Sequence, residues 1–124
     1  MDNDQTRIVN PAKQAGRGHA PRASLTVVHS QDPSQKGKVY ALGEEDVGIG
    51  RDKTNTVVIP SESASRHHAR IFVSGGSHVL VDLESTNGTL LNGKGVQEQT
   101  LRSGDVIRIG STVMRYSIED ETAP

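Results

Sequence analysis

The 124-residue sequence predicts an all-β fold, and three observations lead to that expectation. Val and Ile together number 20 residues against 7 Leu, a β-branched composition that favours strands. Short apolar runs recur about every ten residues and are separated by clusters of Gly, Pro, Asn, Asp and Ser. No stretch carries an apolar stripe at helical spacing that is long enough for a helix. These patterns predict a β-sandwich or barrel of nine or more antiparallel strands.

Nine runs fit this pattern in chain order. They are residues 25–29, 38–43, 46–50, 57–59, 68–73, 78–83, 89–91, 106–109 and 112–118. Gly75-Gly76 supplies a turn that joins the fifth run to the sixth as a hairpin. Asn92-Gly93 follows the seventh run and suits a tight turn with positive φ, and Gly104-Asp105 precedes the eighth run.

The apolar residues divide the chain into one folded domain and two tails. Of 28 Leu, Ile, Val and Phe residues, only Ile8 and Val9 fall within residues 1–23. That segment has two acids and four bases, so we expect a flexible, weakly basic tail of net charge +2. The folded domain is predicted at residues 24–119, followed by a short C-terminal tail at residues 120–124.

Composition argues against several classes of function. The chain has no Cys, which rules out disulfides, a thiolate metal site and a Cys nucleophile. The net charge of −1 does not provide the basic surface of nucleic-acid binders. With one Phe, two Tyr and no Trp, the chain also lacks the aromatic rings on which bases stack. No apolar run approaches the roughly 20 residues of a membrane span, and a signal peptide is not apparent. We expect a cytoplasmic domain that binds neither nucleic acid nor membrane.

Three polar clusters interrupt the predicted strands, each at a strand end. They are Gly50-Arg51, Ser65-Arg66-His67-His68, and the segment from Asp82 to Thr89. The predicted hairpin brings the second and third clusters together, and residues 60–66 are long enough to return the chain to the first. An anion such as phosphate can be bound by the groups that the clusters bring together: guanidinium groups, hydroxyls, an amide and the N–H groups of glycine-bearing turns. The clusters therefore predict binding rather than turnover.

These clusters resemble the forkhead-associated (FHA) domain family. The match comprises five segments in the family's order: Gly50-Arg51, Ser65-Arg66-His67-His68, Asp82 to Thr89, Asn92-Gly93, and Gly104 to Gly110. The resemblance covers about residues 25–118. It implies an FHA-like sandwich of two antiparallel sheets with about eleven strands, and loops at one end that bind phosphothreonine in an extended peptide. It implies no cofactor and no metal.

The resemblance implies five residues that bind the phosphopeptide. Arg51 and Ser65 would bind phosphate oxygens, and Thr86 would add a donor. Arg66 would add positive charge. Asn87 would hydrogen-bond the peptide backbone and fix its register.

Further residues would support the site rather than touch the phosphate. Gly50 and Gly88 would let the loops turn tightly. His68 would hydrogen-bond across the loops. The expected role of Asp82 is to cap backbone N–H groups of the 83–88 loop. Asn55 is expected either to reach the ligand or to shape its loop.

Two other kinds of site fit the sequence less well. A hydrolytic triad of Ser65, a nearby His and Asp82 lacks the Gly-x-Ser-x-Gly turn that would present a nucleophile. A metal site of His67, His68 and His78 is disfavoured because adjacent strand residues point to opposite faces. We therefore predict no catalytic and no metal-binding residues. The alternative that stays open is a phosphate-independent interaction scaffold with the same fold.

The expected partners are phosphothreonine-containing proteins, including a Ser/Thr kinase or its substrate. The tail offers a second, intramolecular partner, because Thr6 lies on a segment long enough to fold back. Some short members of the family are switched off by their own phosphorylated tail. Phosphorylated Thr6 would then occupy the binding loops.

Overall fold

The computed structural model of the chain describes residues 20–119. Within that range it contains eleven strands: β1 (Ala23–His29), β2 (Val39–Leu42), β3 (Val47–Gly50), β4 (Val57–Val58), β5 (Ala69–Ser74), β6 (Ser77–Asp82), β7 (Leu90–Leu91), β8 (Lys94–Gly95), β9 (Glu98–Thr100), β10 (Val106–Ile109) and β11 (Thr112–Ile118). One short 3-10 helix, Pro33–Gln35, lies between β1 and β2.

The strands form two sheets. One has five strands in the order β9-β6-β5-β3-β4, and the other has six in the order β2-β1-β11-β10-β7-β8. The predicted all-β sandwich of two sheets and about eleven strands is confirmed. Within residues 20–119, β3 and β4 are the one parallel pair, with Ile49 opposite Val57, because residues 51–56 carry the chain through a full loop.

The core lies between the two sheets and takes one face of each. Its largest fully buried apolar side chains are Leu25, Ile49, Val57, Ile59, Ile71, Leu80, Ile107, Ile109, Met114 and Tyr116. Each large apolar side chain buried in this way contributes about 1.5–3 kcal/mol relative to an exposed position. The strands therefore supply the rigid frame on which the connecting loops are held.

A buried polar pair lies within this core. The Tyr116 hydroxyl donates to Nδ1 of His78 at 2.7 Å, and Nε2 of His78 donates to the Gly43 carbonyl at 2.8 Å. Burial raises the pKa of Tyr116 to about 12, with a smaller effect from the charge of Asp105. Both ring nitrogens of His78 are thus engaged in structural hydrogen bonds.

Nine of the strands coincide with the predicted runs to within two residues. The turns at Gly75-Gly76 and Asn92-Gly93 are also present, with φ of 61° and 80° in the first and 53° and 85° in the second. Pattern alone missed β8 and β9. Both are short and polar, so no apolar alternation marks them in the sequence.

The predicted tails fall mostly outside the described range. Strand β1 begins at Ala23, one residue before the predicted start of the domain at residue 24. Thr6 and residues 120–124 lie outside residues 20–119, so their predicted roles stay predictions. In the part of the chain that is described, no helix is long and apolar enough to cross a membrane.

Candidate functional site

Strand pairing brings the three polar clusters to one end of the five-stranded sheet. Because β3 and β5 are antiparallel, the end of β3 lies beside the start of β5. Because β5 and β6 are antiparallel, the end of β6 lies beside the same point. The loops at residues 51–56, 59–68 and 83–89 therefore meet at this end. We call them the binding loops.

Backbone hydrogen bonds join the first two binding loops. The Arg51 N–H donates to the Ser65 carbonyl at 2.9 Å, and the Asp52 N–H donates to the Arg66 carbonyl at 3.1 Å. Nε of Arg51 donates to the Ala64 carbonyl at 3.0 Å. This bond fixes the direction of the Arg51 side chain while its two terminal nitrogens make no hydrogen bond within residues 20–119.

Asn55 and Gly50 shape the same loops. Nδ2 of Asn55 donates to the carbonyls of Asp52 at 2.8 Å and Arg66 at 2.7 Å. Both amide hydrogens are thereby used, so Asn55 holds its loop through its NH2 group. At Gly50, an added Cβ would collide with the carbonyl oxygen of Arg66. Only glycine lets these two backbones approach so closely.

His68 connects the second and third binding loops. Its side chain is fully buried. Nδ1 accepts a hydrogen bond from the Ser65 N–H at 2.9 Å, and Nε2 lies 2.8 Å from the Gly88 carbonyl, to which it donates. These two partners require the neutral ring with its proton on Nε2. The ring therefore fixes the position of the Ser65 backbone and does not contact the Ser65 hydroxyl as a general base would.

The hydroxyl of Ser65 instead faces the third loop. Its Oγ accepts from the Thr86 N–H at 3.1 Å and keeps its own proton for another acceptor. Thr86 and Asn87 are both exposed. Nδ2 of Asn87 donates to the Ser63 carbonyl at 2.9 Å, which leaves its carbonyl oxygen and one N–H available. Both side chains are thus presented to solvent from a loop that is tied to its neighbour.

Asp82 organises the third loop from within. Its carboxylate accepts hydrogen bonds from the Ser85 N–H at 3.1 Å, the Ser85 hydroxyl at 2.6 Å and the Thr89 hydroxyl at 2.7 Å. Partial burial acts to raise the pKa of Asp82, but these hydrogen bonds together outweigh it and hold the pKa below its ordinary value. Gly88 completes the turn with φ of 87°, a conformation that suits glycine.

Replacing Asp82 by Asn should destabilise the domain in a pH-dependent way. A depressed carboxylate pKa stabilises the fold fully above the ordinary value of 3.8, and that contribution is lost as the pH falls through the folded-state pKa. We expect Asp82→Asn to lower the free energy of unfolding by about 1–3 kcal/mol near neutral pH and by less near pH 3. Urea denaturation of both proteins across this range measures the difference. A loss that is the same at every pH would contradict this account.

The cationic side chains of the first two loops surround a cavity of about 360 Å³. It is lined by Arg51, Asp52, Lys53 and Arg66, so three positive charges and one negative charge give a net +2. Arg51 and Arg66 were singled out from the sequence. Lys53 was not, and its only sequence signal is its place two residues after Arg51. We call this space the phosphate cavity because its charge equals that of a phosphate dianion with opposite sign.

The three histidines considered as metal ligands lie in different surroundings. The His67 side chain is 60% exposed, and its Nε2 lies 3.6 Å from the Asp52 carboxylate. His68 is enclosed between Ser65 and Gly88, and His78 is in the core. No group of three His, Asp or Glu side chains within residues 20–119 is arranged to hold a metal ion.

Comparisons with known proteins give similarities in both sequence and fold. The sequence model of the FHA domain family matches residues 47–110 of the chain. The FHA domain-containing protein FhaA of Mycobacterium tuberculosis is 41% identical over 85 residues, which cover 68% of this chain and 16% of that protein. The chain thus spans less than a fifth of FhaA.

Two solved structures have the same fold. One, from an analysis of phosphothreonine-dependent FHA domain interactions, is 36% identical with a TM-score of 0.70, covering 79% of this chain and 97% of that one. The other is the FhaA FHA domain in complex with the intracellular domain of Rv3910. It is 37% identical with a TM-score of 0.67, covering 76% of this chain and 98% of that one.

Proposed function

The chain belongs to the FHA domain family, and from that premise we propose that it is a phosphothreonine-dependent protein-binding module of Ser/Thr kinase signalling. The observation that carries the proposal is the phosphate cavity, which has a net charge of +2 and includes Arg51, whose N–H donates to the Ser65 carbonyl. A phosphate dianion has the complementary charge and accepts hydrogen bonds through three oxygens. The partners are phosphothreonine-containing proteins, including kinases or their substrates.

In this proposal the phosphate oxygens accept hydrogen bonds from the terminal nitrogens of Arg51 and the hydroxyl of Ser65. Thr86 adds a further donor, and Arg66, which also lines the cavity, adds positive charge. Each charge-assisted hydrogen bond contributes about 1.5–3 kcal/mol net. Three or four of them, after the entropy cost of binding, are compatible with a Kd of about 1 µM. The phosphate therefore decides whether the peptide binds.

Asn87 has a different role in the proposed complex. Its amide retains one N–H and its carbonyl oxygen after bonding to Ser63. A free donor and a free acceptor on one planar group match the C=O and N–H of an extended peptide. Asn87 would thus set the register of the peptide relative to the phosphate cavity.

We also propose that the domain binds its ligand without chemical turnover. Support comes from His68, whose ring nitrogens are engaged with the Ser65 N–H and the Gly88 carbonyl. A general base would need a hydrogen bond to the hydroxyl of Ser65 instead. Because the proposed ligand is made by kinases that use ATP, we assign the domain to the cytoplasm.

Calorimetric titration with three matched peptide pools tests the proposal. One pool carries phosphothreonine at a fixed position, the second carries phosphoserine, and the third carries unmodified threonine. We expect binding near 1 µM for phosphothreonine and at least about tenfold weaker binding for the other two. Equal binding of all three would favour the phosphate-independent scaffold, and no binding of any peptide would refute the proposal.

The affinity for phosphothreonine should depend on pH. The second pKa of a phosphate monoester is about 6, so acidification converts the dianion to a monoanion. We expect the Kd to rise about tenfold between about pH 7 and about pH 5. A His67→Gln variant serves as the control, because it removes the exposed imidazole whose Nε2 lies 3.6 Å from the Asp52 carboxylate. A Kd that does not change in either protein would contradict binding of a dianion.

A further inference from the structure

A second cavity lies at the same end of the sandwich and shares no residue with the phosphate cavity. Its volume is about 250 Å³, and it is lined by Ser63, Asn87, Gly88, Leu90, Arg108 and Gly110. Asn87, which we propose to hold the peptide backbone, forms part of its wall. A peptide that binds Asn87 therefore passes this space, and we call it the side-chain cavity.

The walls of the side-chain cavity are held by hydrogen bonds within the protein. Ser61 Oγ accepts from the Ser63 N–H at 3.2 Å and from the Ser111 N–H at 3.4 Å. The Ser63 carbonyl accepts from Asn87 at 2.9 Å. An added Cβ at Gly110 would lie 2.6 Å from Ser61 Oγ, so the turn after β10 packs directly against this loop. The cavity is thus largely formed before any ligand binds.

Arg108 gives this cavity an unbalanced positive charge. The side chain is exposed, and its Nε donates to the Gly110 carbonyl at 3.2 Å. No Asp or Glu within residues 20–119 forms an ion pair with it. The bond through Nε holds the side chain along the turn and leaves the terminal nitrogens available. A planar fork of N–H donors in this position suits one carboxylate.

The two cavities differ in the anion that they match. The phosphate cavity has a net charge of +2 and is balanced by a phosphate dianion. The side-chain cavity has one cation, and its other walls are neutral. Leu90 adds an apolar surface against which the methylene groups of an acidic side chain can pack. A second phosphate would leave excess negative charge there, whereas Asp or Glu would not.

We propose that Arg108 is a specificity residue that selects an acidic side chain, Asp or Glu, near the phosphothreonine of the bound peptide. The inference rests on the proposed function and adds the class of peptide that the domain prefers. Arg108 acts on the ligand directly through its terminal nitrogens. Because the side chain is exposed, the expected gain is about fivefold in affinity for the preferred peptide.

The test is a calorimetric scan of phosphothreonine peptides in which Glu, Ala, Ile or Lys occupies each of the four positions on either side. Wild type is compared with Arg108→Gln and Arg108→Glu. Arg115→Gln is the matched control, since Arg115 is exposed on the neighbouring strand β11 and lines neither cavity. We expect wild type and Arg115→Gln to prefer Glu at one position about fivefold over Ala. Arg108→Gln should lose that preference, and Arg108→Glu should favour Lys.

The outcomes separate this inference from the proposed function. If the peptide binds with equal affinity whether Glu, Ala or Lys occupies each position, the inference is overturned and the proposed function stands. A preference for Glu that survives in Arg108→Gln, or a preference for Ile, would also overturn it. Failure of every phosphopeptide to bind would overturn the proposed function together with the inference.

Discussion

Arg51→Ala should reduce the affinity for phosphothreonine peptides by about a hundredfold or more. Among the hydrogen bonds within residues 20–119, Arg51 is the one cation of the phosphate cavity whose side chain is fixed in direction, by the bond from Nε to the Ala64 carbonyl. Its two terminal nitrogens are therefore oriented before the ligand arrives, and little side-chain entropy is lost on binding. Removing them deletes the donors that are best placed for two phosphate oxygens.

Stability should change little in the same variant. Arg51 is exposed, and its side chain contributes one hydrogen bond to the loop, so we expect a loss of about 1 kcal/mol in the free energy of unfolding. Arg51→Lys keeps the charge but lacks the planar fork, and its affinity should fall about tenfold. Arg115→Ala, which removes an exposed Arg from the six-stranded sheet, should bind like wild type.

Calorimetry with one phosphothreonine peptide, together with urea denaturation of each variant, gives both quantities. If Arg51→Ala binds within about threefold of wild type while folded, Arg51 does not bind the phosphate. Equal losses in Arg51→Ala and Arg115→Ala would indicate nonspecific attraction by positive charge, which high salt would abolish.

The sequence predicted the sandwich because the alternation and turn signals that define it are local. Gly75-Gly76 marks the β5–β6 hairpin, and that hairpin alone brings Ser65 beside Thr86. The short polar strand β8 and the parallel pairing of β4 carry no such local signal. Both features form only because the packing of the other strands places these segments next to a sheet edge.

Site residues were predictable as a group more readily than in detail. The five ordered segments predict which residues form the site, but the sequence leaves the role of Asn55 open between ligand contact and loop support. The structure gives both of its amide hydrogens to backbone carbonyls. Lys53 and Arg108 could not be singled out, because a single exposed cation in a sequence gives no indication of the cavity that it lines.

Gly50, the last residue of β3, lies so close to the Arg66 backbone of the second binding loop that it has no room for a side chain. The Arg66 carbonyl, which a Cβ at residue 50 would strike, accepts hydrogen bonds from the Asp52 N–H at 3.1 Å and from Asn55 at 2.7 Å. The backbone at Arg66 cannot rotate away from a new Cβ as a flexible side chain could. Any displacement of this carbonyl therefore breaks contacts that join the first two loops.

Gly50→Ala should consequently lower the free energy of unfolding by about 2–4 kcal/mol, the sum of overpacking and disrupted hydrogen bonds. It should also weaken phosphopeptide binding in the protein that remains folded, because Arg51 and Ser65 are joined through the same segment by the 2.9 Å bond between their backbones. Gly95→Ala is the matched control: Gly95 lies in β8, and its added Cβ would meet no atom within 4 Å. Urea denaturation and calorimetry of both variants should give a change of less than about 0.5 kcal/mol for Gly95→Ala. If Gly50→Ala were equally benign, the close approach of residues 50 and 66 would not be a constraint on the fold, and the preorganisation proposed for Arg51 would lose its structural basis.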